Sequence, residues 1–358
     1  MGIQSSRSES LHQGPFPTIG SEELVQTLWR SFSSNDRLFN GDSVGEIDDS
    51  AYREYYERQW VLIAANCDGK FVALKAPEDI NRLVQRLQTD RSREDLLLEI
   101  QNICGRANSG GECESSLDLA ARILLMLRIG TVKGQFLPRR HLAWNNGTLR
   151  CLVRAHFTEN PRMNFDAVKL PKSFNGWSLE MIGGIEISFT DNLAEHLLVT
   201  EDDSKVLVFS HVSFLECQRL KNQESLLPRG LAEETLRTLA LLFPQSMSVS
   251  SASRSSKHSW FRQLCDRQHD TVDKRLGRCG TLHMEDRQME NFKFWRDRIV
   301  ILKQAYDETT PRTLSQFWHD RRNGVQWYTF WVALSVLALT IVFGVVQCVE
   351  SGYQAWKT

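Results

Sequence analysis

The 358 residues carry 43 Lys and Arg against 44 Asp and Glu, so a net charge of −1 leaves no surplus that would draw nucleic acid or an acidic substrate. Apolar residues make up 41% and mean hydropathy is negative, as expected of a chain that is mostly a soluble, globular body. The cysteines (Cys67, Cys104, Cys113, Cys151, Cys217, Cys265, Cys279 and Cys348) are scattered with no CxxC pair, which reads as reduced thiols of a cytosolic protein rather than a disulfide framework.

The opening MGIQSSRS fits an N-myristoylation signal, with Gly2 as acceptor and Ser6 at the required offset, and residues 1–20 read as a disordered tail. SEELVQTLWRSF (21–32) has a capping serine and helical apolar spacing. GDSVGEIDDS (41–50) reads as an acidic loop, and QWVLIAANCDGKFVALK (59–75) as a hairpin of two β-rich runs about Asp68-Gly69. PEDINRLVQRLQ and SREDLLLEIQNIC are helices with acidic first turns. GRANSGGECES is a Gly-rich break before SSLDLAARILLMLRIG, a core helix with Gly130 past its end.

GTLRCLVRAHF is a short amphipathic helix, and Asn146-Gly147-Thr148 before it forms a glycosylation sequon, silent in the cytosol. GIEISFTDN alternates apolar and polar residues like a half-buried strand. HLLVTEDDSKVLVFSHVSFLE reads as strand, acidic turn, strand and helix, and GLAEETLRTLALLFP as a helix halted at Pro244. QSMSVSSASRSSKHS is a Ser-rich linker. EDRQMENFKFWRDRIVILKQAYDE reads as one helix, along which Phe292, Trp295, Ile299, Leu302 and Tyr306 recur at three- and four-residue steps. That stripe is expected to pack on neighbouring helices of the domain or, alternatively, to present a seam to a partner helix.

The segment from Trp327 to Val346 has no charged residue. As a helix it would be roughly 30 Å long, the thickness of a bilayer's hydrocarbon core. Leu334, Leu337, Leu339, Ile341, Phe343 and Val346 would face lipid, and Trp327, Tyr328 and Trp331 at one end and Tyr353 and Trp356 beyond the other form interfacial belts. Ser335 and Thr340 are expected to bond back to their own helix carbonyls. Arg312, Arg321 and Arg322 precede the segment and Lys357 comes after it, which places the N-terminal side in the cytosol and suggests a tail-anchored, single-pass layout.

Signs of chemistry are sparse. FVALK (71–75) resembles a kinase β3 strand, but no Gly-rich loop, HRD or DFG element accompanies it, and Lys75 reads as a surface lysine. Cys265, His269, Cys279 and His283 offer two thiols and two imidazoles, the donor types of a zinc site, yet the x3 spacing is not that of a common zinc finger, and no metal or other cofactor is expected. No HExxH, GxSxG, P-loop or dinucleotide fingerprint occurs, so catalytic residues cannot be assigned.

The stretches TDNLAEHLLV, KVLVFSHVSFLE, FWRDRIVILKQAYDE and PRTLSQFWHDRRNGVQWYTFWVALSVLALTIVFGVVQCVE resemble an expanded family of filamentous-fungal proteins over about 147–358. The Asp-Arg-Arg…Gln-Trp-Tyr-Thr-Phe-Trp lead into the helix is its most specific part. The resemblance implies a fungal source and a single membrane helix, and it carries no catalytic residue across. A more distant likeness is to CorA-type ion channels, although the Gly-Met-Asn signature and second membrane helix of that class are missing.

The expectation is therefore a mainly α protein with a small β element around 177–210. Its parts would be a helical domain (21–245), a linker (246–259), a helical stalk (260–322), a membrane helix (325–349) and a short tail (350–358). The function expected is membrane-tethered binding or scaffolding, with the bilayer and other proteins as partners. An oligomeric CorA-like channel and a tethered enzyme of unrecognised type are the alternatives.

Overall fold

The computed structural model describes residues 49–65, 72–74, 76–104, 110–130, 141–159, 163, 169–221, 224–245, 256–268, 272–309, 316 and 324–357. The expectations for Gly2, the helix at 21–32, Lys75, His269, Arg312, Arg321 and Arg322 lie outside the described residues.

The N-terminal half is organised by one buried helix. Helix α1 (Ser50–Ala65), α2 (Pro77–Leu87) and α3 (Arg93–Cys104) pack around α4 (Gly110–Leu125). Helix α2 begins with Pro77 in its first turn and acidic Glu78 and Asp79 behind it, and it buries Ile80, Leu83, Val84 and Leu87 along one side. Helix α4 is buried on nearly every side from Ser116 onward, which is why its sequence is apolar almost throughout. Its polar residues have specific partners. The Ser116 hydroxyl accepts from the Ala73 and Leu74 amides (2.9 and 3.2 Å). Tyr52 and Tyr55 donate to the Ile123 and Arg122 carbonyls (2.7 and 2.9 Å) in the last turn of the helix, where the Arg122 carbonyl also accepts from the Met126 amide (2.8 Å).

Two expectations are corrected here. The hairpin over 59–75 is not formed, because residues 59–65 close helix α1, whose buried face is Ala51, Tyr52, Tyr55 and Tyr56. The Gly-rich break is also shorter than expected, since α4 already starts at Gly110.

Past α4 the chain turns under Asp118. Gly130 has φ +66°, and a Cβ there would collide with the Asp118 carboxylate. Asp118 is itself held by Arg93 (2.7 Å) in a largely buried ion pair. Gly130→Ala should therefore lower the unfolding free energy by ~2–3 kcal/mol, the left-handed backbone penalty plus displacement of that carboxylate. Denaturant titration of the full chain in detergent micelles checks this, and a loss under ~0.5 kcal/mol would mean the turn relaxes freely.

The second half is built on a small sheet. Helix α5 (Leu149–His156) is capped by Thr148, whose hydroxyl accepts from the Cys151 amide. The short α6 (Gly176–Met181) leads into β1 (Glu186–Thr190). Strands β2 (Leu198–Thr200) and β3 (Lys205–Phe209) come next, giving the order β1-β3-β2, with β1 parallel and β2 antiparallel to β3. As the central strand, β3 buries Val206, Leu207, Val208 and Phe209 in a row. The β2–β3 turn carries Glu201, Asp202 and Asp203, all at positive φ.

Helices α7 (Val212–Lys221), α8 (Leu231–Leu242), α9 (Ser256–Arg267) and α10 (Arg296–Glu308) complete the body, and α11 (Gly324–Lys357) lies beyond it in the chain. Trp260 and Leu264 of α9 and Ile299, Leu302 and Tyr306 of α10 belong to the same apolar core as Leu119 and Val208. The region expected as a stalk from residue 260 thus shares the domain's core through α9 and α10, and α9 takes in the last residues of the expected 246–259 linker.

The stripe in 292–306 is not one helix. Phe292 and Trp295 precede α10, and all five stripe residues are buried in the domain's own core, leaving no seam for a partner helix. A carboxylate from α8 sets this geometry. Glu234 accepts from the amides of Lys293, Phe294 and Trp295 (2.8, 2.9 and 2.8 Å). The Trp295 indole donates to Thr235 Oγ1 (2.9 Å) and meets Phe157 and His196 edge-on.

His196 is fully buried in this network. Its Nδ1 accepts from the Phe209 amide (3.1 Å), so Nε2 carries the hydrogen and donates to Thr238 Oγ1 (2.6 Å). Burial, and secondarily the charge of Arg298, pushes its pKa well below the usual histidine value. The unfolded chain then binds a proton that the folded chain refuses, so this site's contribution is intact above about pH 6.5 and is lost as pH falls towards the folded pKa. The stability of the native chain relative to His196→Asn should be flat above pH 7 and shrink by about 1.4 kcal/mol per unit below pH 6.5. Denaturant titrations at a series of pH values test it, and parallel curves would show that His196 does not titrate differently on folding.

Candidate membrane anchor and strand-end cleft

Helix α11 runs for 34 residues, and the most apolar 18-residue window of its segment Trp327–Lys357 has a mean hydropathy of 2.5 with none of that window covered by the rest of the protein. An apolar helix that nothing covers differs from a core helix, which α4 illustrates with its apolar residues enclosed. The hydroxyls of Thr329, Ser335 and Thr340 donate to the carbonyls of Val325, Trp331 and Val336 (2.9, 2.8 and 2.8 Å), so these polar groups need no outside partner.

Trp327, Tyr328, Phe330 and Trp331 cluster at the N-terminal end, with neighbouring ring centroids 5.1–6.1 Å apart. At the far end Lys357 lies over the Tyr353 ring (6.0 Å). From Trp331 to Tyr353 the rise is roughly 33 Å, so both aromatic ends can reach the headgroups of one bilayer. The helix continues to Lys357, so residues 350–357, expected as a short tail, extend it by two turns. Leu334, Leu337, Leu339, Ile341, Phe343 and Val346 all lie exposed on it.

The described zinc candidates Cys265, Cys279 and His283 are not brought together. Cys265 is half-buried on α9, and burial pushes its thiol up to about 11. Cys279 is buried, with its thiol on the Arg275 carbonyl (3.7 Å), and His283 is exposed. Among the described residues no three His, Cys, Asp or Glu side chains come together to hold a metal ion.

A polar cleft that no motif announces lies where β1 and β3 end. Asp191 comes directly after β1, and His211 lies two residues beyond β3. His211 Nε2 donates to Asp191 Oδ1 (2.7 Å), and Arg58 of α1 holds Oδ2 (2.9 Å). Burial alone would raise the Asp191 carboxyl, but the hydrogen bond from His211 and the charges of His211, Arg58 and Arg128 outweigh it and hold it below the usual range. Arg128 Nη1 bonds Glu195 (3.0 Å), which also accepts from Thr190 (2.9 Å). Arg122 is fixed by the Ile129 and Gly130 carbonyls (2.5 and 2.9 Å). Of these residues Arg58, Arg122, Arg128 and Asp191 line an open cleft of about 210 Å³, with His211 and Glu195 bonded to them from behind. Positions outside the carboxyl ends of parallel strands are where α/β sheets commonly take ligands.

The architecture is thus a mainly helical body with a three-stranded sheet and one apolar helix long enough to cross a membrane. Compared with family models, curated proteins and solved structures, the chain matches none.

Proposed function

We propose that this chain is a binding protein tethered to a membrane by α11, with the helical body on the cytosolic face, where it meets other proteins. The observation that supports the tether is the uncovered apolar surface of α11, which water would strongly disfavour. The excess of arginine ahead of the helix (Arg312, Arg321, Arg322) over the single Lys357 near its far end favours the cytosolic orientation.

Topology tests both parts. Membranes from fungal cells expressing the full chain would be extracted with alkaline carbonate, and sealed vesicles would be treated with protease or with a glycan-removing enzyme. Retention in the pellet, digestion of the body from outside and an unmodified Asn146 are expected. Asn146 is exposed, so a sugar could be attached were the body lumenal. A glycosylated Asn146 on a protease-protected body would reverse the orientation, and release by carbonate would remove the anchor.

A further inference from the structure

The cleft at the strand ends is built for a ligand, and we propose that it binds a small phosphate monoester bearing a neighbouring hydroxyl. This reading stands apart from the membrane tether.

Its walls come from three separate parts of the chain: Tyr55, Arg58 and Gln59 of α1, Arg122 and Arg128 at and beyond the end of α4, and Asp191 after β1. Three arginines therefore line one space against a single carboxylate on the wall and Glu195 behind it. Their positions are set in advance. Arg122 is clamped by two backbone carbonyls, Arg58 by Asp191 and Arg128 by Glu195. Each planar guanidinium offers five donors, and the Glu195 contact engages Nη1 of Arg128, so the Nε and Nη2 donors of that side chain stay available for an oxyanion. A phosphate meets such a fork with paired, charge-assisted hydrogen bonds, whereas a cation would be repelled.

Asp191 supplies the complementary feature. With His211 on one oxygen and Arg58 on the other, it stays ionised and keeps lone pairs free to accept from a ligand hydroxyl. The open cleft of about 210 Å³ has room for a small polar ligand such as a three-carbon phosphate or the polar end of a lipid. Leu62, exposed at the rim, leaves room for a larger remainder to project outward.

The test uses the full chain in non-ionic detergent micelles, titrated calorimetrically with glycerol 3-phosphate and, as control, with glycerol. Saturable binding of the phosphate at one site per chain, and none of glycerol, is expected. Arg128→Gln should weaken it by about tenfold or more, the worth of one charge-assisted hydrogen bond. Because that variant also removes the Arg128–Glu195 ion pair, Gln59→Glu provides a second probe. It sets a negative charge in the cleft from a half-buried helical position and should weaken binding to a similar degree while leaving the unfolding midpoint unchanged. No saturable heat with glycerol 3-phosphate, or binding that survives both substitutions, overturns the proposal. Short-chain lysophosphatidic acid, which keeps the hydroxyl beside its phosphate, doped into the micelles identifies the source. Binding at least about tenfold tighter than glycerol 3-phosphate assigns a lipid headgroup, and any smaller gain or weaker binding assigns a free metabolite. Failure of these titrations would leave the carbonate and protease results on the anchor untouched.

Discussion

Alanine at position 234 should cost the protein about 3–5 kcal/mol of unfolding free energy, although Glu234 lies on a helix whose own hydrogen bonds the change would not touch. The carboxylate is buried and takes three consecutive backbone amides, those of Lys293, Phe294 and Trp295. Truncation removes the acceptor and leaves three donors facing a space lined by the core, and the loss of each such partner is expensive. Trp295 would suffer next, since its amide bond to Glu234 and its indole bond to Thr235 fix the ring against Phe157 and His196. Glu234→Gln keeps one acceptor oxygen but turns an amide NH2 towards donors, so it should fall between wild type and Glu234→Ala. Denaturant titration followed by tryptophan fluorescence measures the series, and hydrogen exchange at the Trp295 amide localises it. A loss below ~1 kcal/mol in the alanine variant would mean that water enters and replaces the carboxylate.

The same contact explains one limit of sequence reading. Phe292, Trp295, Ile299, Leu302 and Tyr306 are spaced as a helical stripe, and they are all core residues, so the periodicity identified burial correctly. It misplaced the start of the helix, because what holds 293–295 out of α10 is a residue some sixty positions earlier. Asp273 acts in a parallel way at the start of α7, accepting from the Ser213 amide (2.6 Å) and the Arg275 amide (2.9 Å). Caps delivered from a distance leave no local signature, whereas the local cap of Thr148 on α5 fell within a segment readable as a helix.

The error at 59–75 has a different cause. Trp60, Val61 and Leu62 favour a strand when paired across Asp68-Gly69 with Phe71, Val72 and Leu74, but the decisive pattern lies upstream, where Tyr52, Tyr55 and Tyr56 share the helical face that α4 covers. Tertiary burial of that face outweighs the β preference of the last turn. The strands at 186–190 and 198–209 were legible because their alternation and the acidic turn between β2 and β3 are local features. The cleft was not, because Arg58, Arg122, Arg128, Asp191 and His211 are scattered over four stretches of chain. Only Asp191 and His211 carried a hint, as polar residues immediately beyond strand ends.

The anchor yields the largest effect. Leu337→Arg combined with Ile341→Arg puts two cations one turn apart near the middle of the span, midway between the Trp331 and Tyr353 ends. Each exchange costs about 3–4 kcal/mol of insertion free energy, so the pair should cost ~6–8 kcal/mol and move most of the protein from the carbonate-resistant pellet to the supernatant. Leu337→Ala with Ile341→Ala, which keeps the segment uncharged, should stay in the pellet. The body supplies the discriminating control. Since the apolar window of α11 is not covered by the rest of the protein, the arginine pair should leave the unfolding midpoint of the body in detergent where it was. A core helix behaves in the opposite way, because two buried unpaired charges would unfold the domain and carry the protein into aggregates. Release from the membrane with an intact body therefore establishes α11 as the tether, while unfolding of the body would return the helix to a soluble core and leave no role for a membrane.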